Sequence, residues 1–286
     1  MNLRRVTACL AAVLLTAAGG SAMADDRDGA RGLSLGDSVV FGFITQAGHA
    51  YINPANFIGY PEYDSLLLSL GIANAACPGE TSGSLLSATA ADNGCQAFRS
   101  AFPLHVPYSS TQIAFATDYL RQHRGVRVVT VGVGANDLFL LQHSCATNPS
   151  PTGCIEAGLP SVLASVGANM AQILLELRST GYGGEIVVVN YYSLDYSDAT
   201  NTGITQLLNQ TIAAPAKSFG AVVADVFSAF QKVVSNPAIA GKTCNAGLLN
   251  VNPQDQTQLT CDVHPSQSGQ RLIAEAVARA VKYRTW

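Results

Sequence analysis

The run Val126-Arg127-Val128-Val129-Thr130-Val131-Gly132-Val133 is followed at once by Gly134-Ala135-Asn136-Asp137. Its apolar residues are largely consecutive rather than alternating, so both faces of the strand are covered, as in a parallel sheet flanked by helices. Ile186-Val187-Val188-Val189 repeats the pattern. With these two segments (126–133 and 185–190), further β-like stretches at residues 32–35, 71–76 and 221–226 bring the strands to five.

Helical periodicity lies between them. Residues 111–123 set Ile113, Ala116, Thr117 and Leu120 on one face, and 161–180, opened by Pro160-Ser161 and closed by Gly181, stack Val162, Val166, Met170, Ile173, Leu174 and Leu177. A third helix is expected over 204–218, with Pro215 ending or kinking its last turn, and a fourth over 267–282, carrying Leu272, Ile273, Ala276 and Ala280 inward. Strand and helix alternate, which predicts a three-layer α/β/α sandwich with a central, mainly parallel five-stranded sheet. No repeat or linker divides it, so residues 31–286 read as one domain.

The chain has 286 residues, of which 48% are hydrophobic and 12% charged. The apolar share excludes a disordered chain, and a net charge of −3 without basic runs argues against nucleic acid as a partner. The longest apolar run, residues 6–18, is shorter than the ~20 residues that span a bilayer. It follows Arg4 and Arg5 and ends in Ala22-Met23-Ala24, which reads as a secretory signal peptide over 1–24, then a short lead-in over 25–30. Cys9 precedes most of the run, so no lipid anchor is expected. Cleavage after Ala24 removes two arginines and moves the net charge to −5.

Six cysteines then remain, an even number in an exported chain, which reads as three disulfides. The sequence leaves the connectivity open; pairing neighbours closes three separate loops and predicts Cys77–Cys95, Cys145–Cys154 and Cys244–Cys261, each adding about 2–4 kcal/mol. Zinc is disfavoured, because no C-x-x-C or H-E-x-x-H spacing occurs.

In parallel α/β sheets ligands gather at the carboxyl ends of the strands. There the chain places Ser38 in Gly36-Asp37-Ser38-Val39, Gly79 in Cys77-Pro78-Gly79-Glu80 and Asn136 in Gly134-Ala135-Asn136-Asp137; His264 in Asp262-Val263-His264-Pro265 immediately precedes the last helix. These residue types suit serine acyl transfer. A hydroxyl becomes nucleophilic when an imidazole removes its proton, the imidazole needs an orienting partner, and the developing oxyanion needs fixed donors.

Taken in order, these blocks resemble the SGNH hydrolases, the GDSL esterase/lipase family, over about 230 residues of the chain. The resemblance implies a flavodoxin-like fold, Ser38 as nucleophile, His264 as base, and an oxyanion hole from the Ser38 N–H, the Gly79 N–H and the Asn136 amide. It also implies no cofactor. The cysteines, in three local pairs, look like those of the exported bacterial members. Two departures stand out. Val39 replaces the Leu of the family name, and the orienting acid, Asp262, precedes His264 by two residues where the usual spacing is three. A Ser–His dyad using a backbone carbonyl is therefore the alternative to a triad.

Each residue also has a plainer reading. Ser38 and Asn136 could serve as helix caps, and His264 as a turn histidine. A dinucleotide fingerprint fails because Asp137 stands where the third Gly belongs, and Val40 breaks the G-x-S-x-G of an α/β-hydrolase elbow. Residues 41–63 hold six of the 21 aromatic residues and read as more loop than helix. Of these, Phe41, Phe43, Tyr51, Phe57 and Tyr60 either wall an acyl or aryl site or pack the loop onto the domain. The reading is a secreted, monomeric, metal-independent serine esterase or lipase acting on a small-molecule or lipid ester. The alternatives are a carbohydrate deacetylase and a non-catalytic exported binding protein.

Overall fold

The computed structural model describes residues 30–252 and 260–282; the expected signal peptide and all but the last residue of the lead-in lie outside them. In chain order the elements are β1 (Arg31–Gly36), α1 (Ser38–Phe41), α2 (Tyr60–Leu68), β2 (Gly71–Asn74), α3 (Ser82–Leu86), α4 (Cys95–Ala101), α5 (Gln112–Gln122) and β3 (Val126–Gly132). Then follow α6 (Ala135–Cys145), α7 (Pro151–Ser179), β4 (Glu185–Val189), α8 (Ala199–Ala213), β5 (Val222–Ala224), α9 (Val226–Val234), β6 (Leu249–Val251), β7 (Cys261–Pro265) and α10 (Gln267–Ala280).

The five-stranded sheet has the order β2-β1-β3-β4-β5, and every pair in it is parallel. Both faces are buried, as the unbroken apolar runs require. In β4, Val187 and Val189 join one core with Phe230, Ile273 and Val277, while Ile186 and Val188 join the other with Met170, Ile173 and Leu174. Each fully buried valine contributes about 1.5–3 kcal/mol through area removed from water. A charged residue in place of Val188 would break this layer.

The chain leaves β1 towards β2 on one side and crosses to β3 on the other. That reversal opens a crevice between the carboxyl ends of β1 and β3. Ser38 follows β1 and Asn136 follows β3, so the topology carries both to its rim.

The expected helices are present with shifted ends. Thr111 caps α5, its hydroxyl accepting from the Ala114 N–H. The long helix α7 begins at Pro151 rather than Ser161 and keeps Pro160 inside it. Its extra turns are held by the Cys145–Cys154 bond and by α6, which comes so close that a Cβ on Gly158 would meet Leu141 at 2.5 Å. It is long and apolar enough to cross a membrane, yet Val166, Met170, Ile173, Leu174 and Leu177 are packed in the core. Helix α8 starts at Ala199, earlier than residue 204, because Asp198 caps the N–H groups of Thr200 and Asn201. Its last turn gives way around Pro215 to a short 3₁₀ turn, Ala216–Phe219. All three disulfides join the neighbouring pairs expected.

Candidate active site

The turn after β1 is built from its backbone. Gln112 grips Gly36 from both sides, its Oε1 accepting from the Gly36 N–H at 2.9 Å and its Nε2 donating to the Gly36 carbonyl at 2.8 Å. A Cβ on Gly36, at φ +149, would lie 2.1 Å from the Gly132 carbonyl oxygen, so only glycine fits where β1 meets β3. The cap of α1 is Asp37, whose Oδ1 accepts from the Val39 N–H at 2.9 Å. Ser38 is therefore not the cap: it is the first helical residue, half-buried, with its hydroxyl engaged by no other described residue.

Asp37 itself is buried, and burial pushes its carboxyl up to about 6 against the pull of its hydrogen bonds from Tyr191 and Val39. The Tyr191 hydroxyl donates to Oδ2 at 2.6 Å. Asn209 in turn fixes Tyr191, accepting from its N–H and donating to its carbonyl.

His264 lies on β7, in a two-stranded antiparallel ribbon with β6 that stands apart from the main sheet. The Cys244–Cys261 bond anchors the start of β7, and the Tyr192 hydroxyl holds the Val263 carbonyl at 2.6 Å. On a strand, residues two apart share a face. Asp262 and His264 therefore point the same way, and Asp262 Oδ1 lies 2.7 Å from His264 Nδ1 while also accepting from the His264 N–H at 3.1 Å. Burial alone would raise the Asp262 carboxyl, but the hydrogen bonds and charge of His264 outweigh it and lower the carboxyl below its usual value. An ionised carboxylate can only accept, so Nδ1 carries the proton of this hydrogen bond and Nε2 is the ring nitrogen left for the reaction.

Asn136 opens α6. Its Nδ2 donates to the Glu80 carbonyl at 3.0 Å, and its Oδ1 accepts from Asn93 Nδ2 at 2.8 Å. These bonds fix the amide's orientation and leave one Nδ2 hydrogen unspent. Gly79 adopts φ +85, a left-handed conformation, and its N–H meets no acceptor among the described residues. Asp137 holds the loop after Gly79 from the other side, accepting from the Ser82 N–H and hydroxyl.

Ser38, Asn136 and His264 line one cavity of ≈ 480 Å³. Gly79 does not line it, and sits on the loop that the Asn136 amide grips. The walls are Leu138 and Phe139 of α6, Ile204 and Leu208 of α8, and Tyr192 and Leu194 after β4. The rings of the aromatic loop lie outside this lining, while Thr45 of the same loop reaches His264, its hydroxyl 3.4 Å from Nδ1. Phe41, Phe57 and Tyr60 are at most 1% exposed and pack in the core. Tyr51 stacks on both Phe43 and Phe57, which also face each other, and Phe43 carries the cluster to the site, its ring centre 5.1 Å from that of His264. A loop so rich in rings closes on itself because large apolar faces gain more from each other than from water.

One described cluster, Cys77, Glu80 and Cys95, gathers metal-type ligand atoms. Its sulfurs form a disulfide, and its carboxylate accepts from Ser84 and Gln112.

A parallel α/β/α sheet with serine, amide and carboxylate-bound imidazole around one crevice is the architecture of an acyl-transfer hydrolase. The chain belongs to the GDSL-like lipase/acylhydrolase family, which matches residues 34–272, and is a carboxylic ester hydrolase. No curated protein is matched by the sequence. Among solved structures it is similar to an acetylxylan esterase from Geobacillus stearothermophilus, with TM-score 0.53 and 18% identity over 90% of this chain and 96% of that one. A putative GDSL-like lipase from Parabacteroides merdae gives TM-score 0.51 and 13% identity, covering 88% and 94% of the two chains. An alpha/beta hydrolase from the metagenome of Lake Arreo gives TM-score 0.53 and 15% identity with the same coverage. At these identities the likeness is one of fold.

Proposed function

We propose that the chain is an exported esterase that cleaves carboxylic esters through an acyl-serine intermediate on Ser38. The observation that carries this is the convergence of Ser38, Asn136 and His264 on one cavity, with Asp262 2.7 Å behind the imidazole. Ser38 Oγ attacks the carbonyl carbon as its proton passes to His264 Nε2. The oxyanion is met by the Ser38 N–H and the free Nδ2 hydrogen of Asn136, both at the cavity, and by the Gly79 N–H from the loop beside it, donors whose removal singly costs about 10²–10³ in rate. His264 then protonates the leaving alcohol and afterwards takes a proton from the water that releases the acid. Asp262 holds the imidazole in the productive tautomer and steadies its charged form.

The cavity walls favour acyl groups of lipid or aryl type over acetate. Leu138, Phe139, Ile204 and Leu208 give a substrate chain apolar surface well beyond a methyl group. A deacetylase on the same scaffold is the second reading, suggested by the acetylxylan esterase among the similar structures. Export rests on the leader pattern over residues 1–24 and on the three disulfides, which persist in oxidising surroundings. Rates on nitrophenyl esters from acetate to palmitate, beside acetylated xylan, test the reading. A maximum at medium or long chains supports it, and activity confined to acetyl groups contradicts it. No turnover of any ester by the folded protein would favour the non-catalytic binding role.

A further inference from the structure

We infer that Asn93 is a positioning residue that locks both outer donors of the oxyanion hole in register, an inference that rests on the roles proposed for Gly79 and Asn136. Asn93 reaches each of them by a separate bond. Its backbone N–H donates to the Gly79 carbonyl at 2.8 Å, and its side-chain Nδ2 donates to Asn136 Oδ1 at 2.8 Å. The backbone contact is so close that a Cβ on Gly79 would lie 2.4 Å from the Asn93 carbonyl oxygen. The loops that meet here are tied twice more, by the Thr81 hydroxyl donating to the Ala91 carbonyl at 2.7 Å and by the Cys77–Cys95 disulfide.

The two bonds act on different aspects of the hole. The backbone bond fixes the Gly79–Glu80 peptide from its carbonyl side and so holds the turn that carries the Gly79 N–H. The side-chain bond decides which way the Asn136 amide faces. Glu80 supplies an acceptor to Nδ2, Asn93 supplies a donor to Oδ1, and together they exclude the flipped amide, which would set donor against donor and acceptor against acceptor. Asn93 does not line the cavity, so its effect on the reaction passes through Asn136 and Gly79.

An isosteric change separates this role from packing. Asn93→Asp keeps the side-chain shape and the backbone bond to Gly79 but turns an acceptor towards Asn136 Oδ1. Steady-state hydrolysis of a nitrophenyl ester, with Tm measured alongside, is the test, using Asn93→Asp, Asn93→Ala and Asn136→Ala. The expected result is a kcat at least tenfold lower for Asn93→Asp, KM within about threefold of the parent and Tm nearly unchanged, since the loss falls on the transition state. Asn93→Ala, which leaves Oδ1 without its donor but faces it with no acceptor, should lose less than Asn93→Asp. Kinetics within twofold of the parent in both Asn93 variants, beside a 10²–10³ loss in Asn136→Ala, overturn the clamp and leave the hole intact. Full activity in Asn136→Ala overturns the hole itself. A kcat loss that appears only with a collapse of Tm in both Asn93 variants makes the residue structural and overturns the inference.

Discussion

The Tyr191 hydroxyl donates to Asp37 Oδ2 at 2.6 Å, joining the turn that carries Ser38 to a residue 154 positions away in the chain. Burial lifts the Asp37 carboxyl from 3.8 to about 6, and this bond is the foremost of the opposing effects. A carboxyl raised in the folded state withdraws stability as pH climbs from its unfolded value through its folded one. Tyr191→Phe removes the donor, lifts Asp37 further and leaves a buried carboxylate with one bond fewer. The variant should lose about 1–3 kcal/mol at pH 8 and less at pH 5, where the carboxyl is protonated in both proteins. Thermal unfolding at the two pH values checks the difference.

Asp262 distinguishes a triad from a dyad. Its carboxylate lies 2.7 Å from His264 Nδ1 and is held below its usual value, as an orienting acid should be. Asp262→Ala should lower kcat by more than about 10²-fold, and His264→Ala by at least as much. A loss under tenfold for the aspartate change, beside orders of magnitude for the histidine, would assign the orienting role to a backbone carbonyl.

Glu80 follows Gly79 on the loop gripped by the Asn136 amide, and its side chain is buried. Burial raises its carboxyl from 4.5 to about 7, more than its bonds to Ser84 and Gln112 lower it. Stability from this group is therefore greatest below pH ~4.5 and falls as pH rises towards 7. Glu80→Gln keeps the shape without the charge. Its Tm relative to the parent should climb between pH 5 and pH 8, and a constant difference across that range would contradict the assignment.

The cavity walls make a prediction about substrates. Ile204 lines the crevice together with Leu138 and Phe139, and Ile204→Trp should fill space that a longer acyl chain would occupy. kcat/KM for an octanoate ester should fall by at least tenfold while that for acetate stays within about threefold, in line with the ~10–200-fold effect of a methylene-sized misfit. The ratio of the two esters is the readout.

The sequence made the sheet legible because a strand buried on both faces leaves an unbroken apolar run, as in Ile186-Val187-Val188-Val189. It made Ser38, Asn136 and His264 legible because each sits at an element end beside Gly, Asp or Pro. It left the crevice walls obscure. Leu138, Phe139 and Gln142 lie within two helical turns of Asn136, a spacing that could have pointed to them; Ile204 and Leu208 join them only through the crossover from β4. Of the two readings open for the aromatic loop, packing holds for Phe41, Phe57 and Tyr60, which are buried, and the sequence could not choose because ring content marks burial as readily as binding. Asn93 carries no local signal, because its partners are 14 and 43 positions away. The short Asp262-x-His264 spacing became intelligible once both residues were seen on a strand, where a step of two keeps them on one face.

An activated Ser38 reacts covalently with a fluorophosphonate, whereas an ordinary surface serine does not. The decisive measurement is treatment of the folded protein with such a probe, followed by mass mapping of its peptides. A single adduct on Ser38 is expected, absent from Ser38→Ala and strongly slowed in His264→Ala, with ester turnover lost in step. An unlabelled Ser38 in active protein, or ester hydrolysis that survives Ser38→Ala, would contradict Ser38 as the nucleophile.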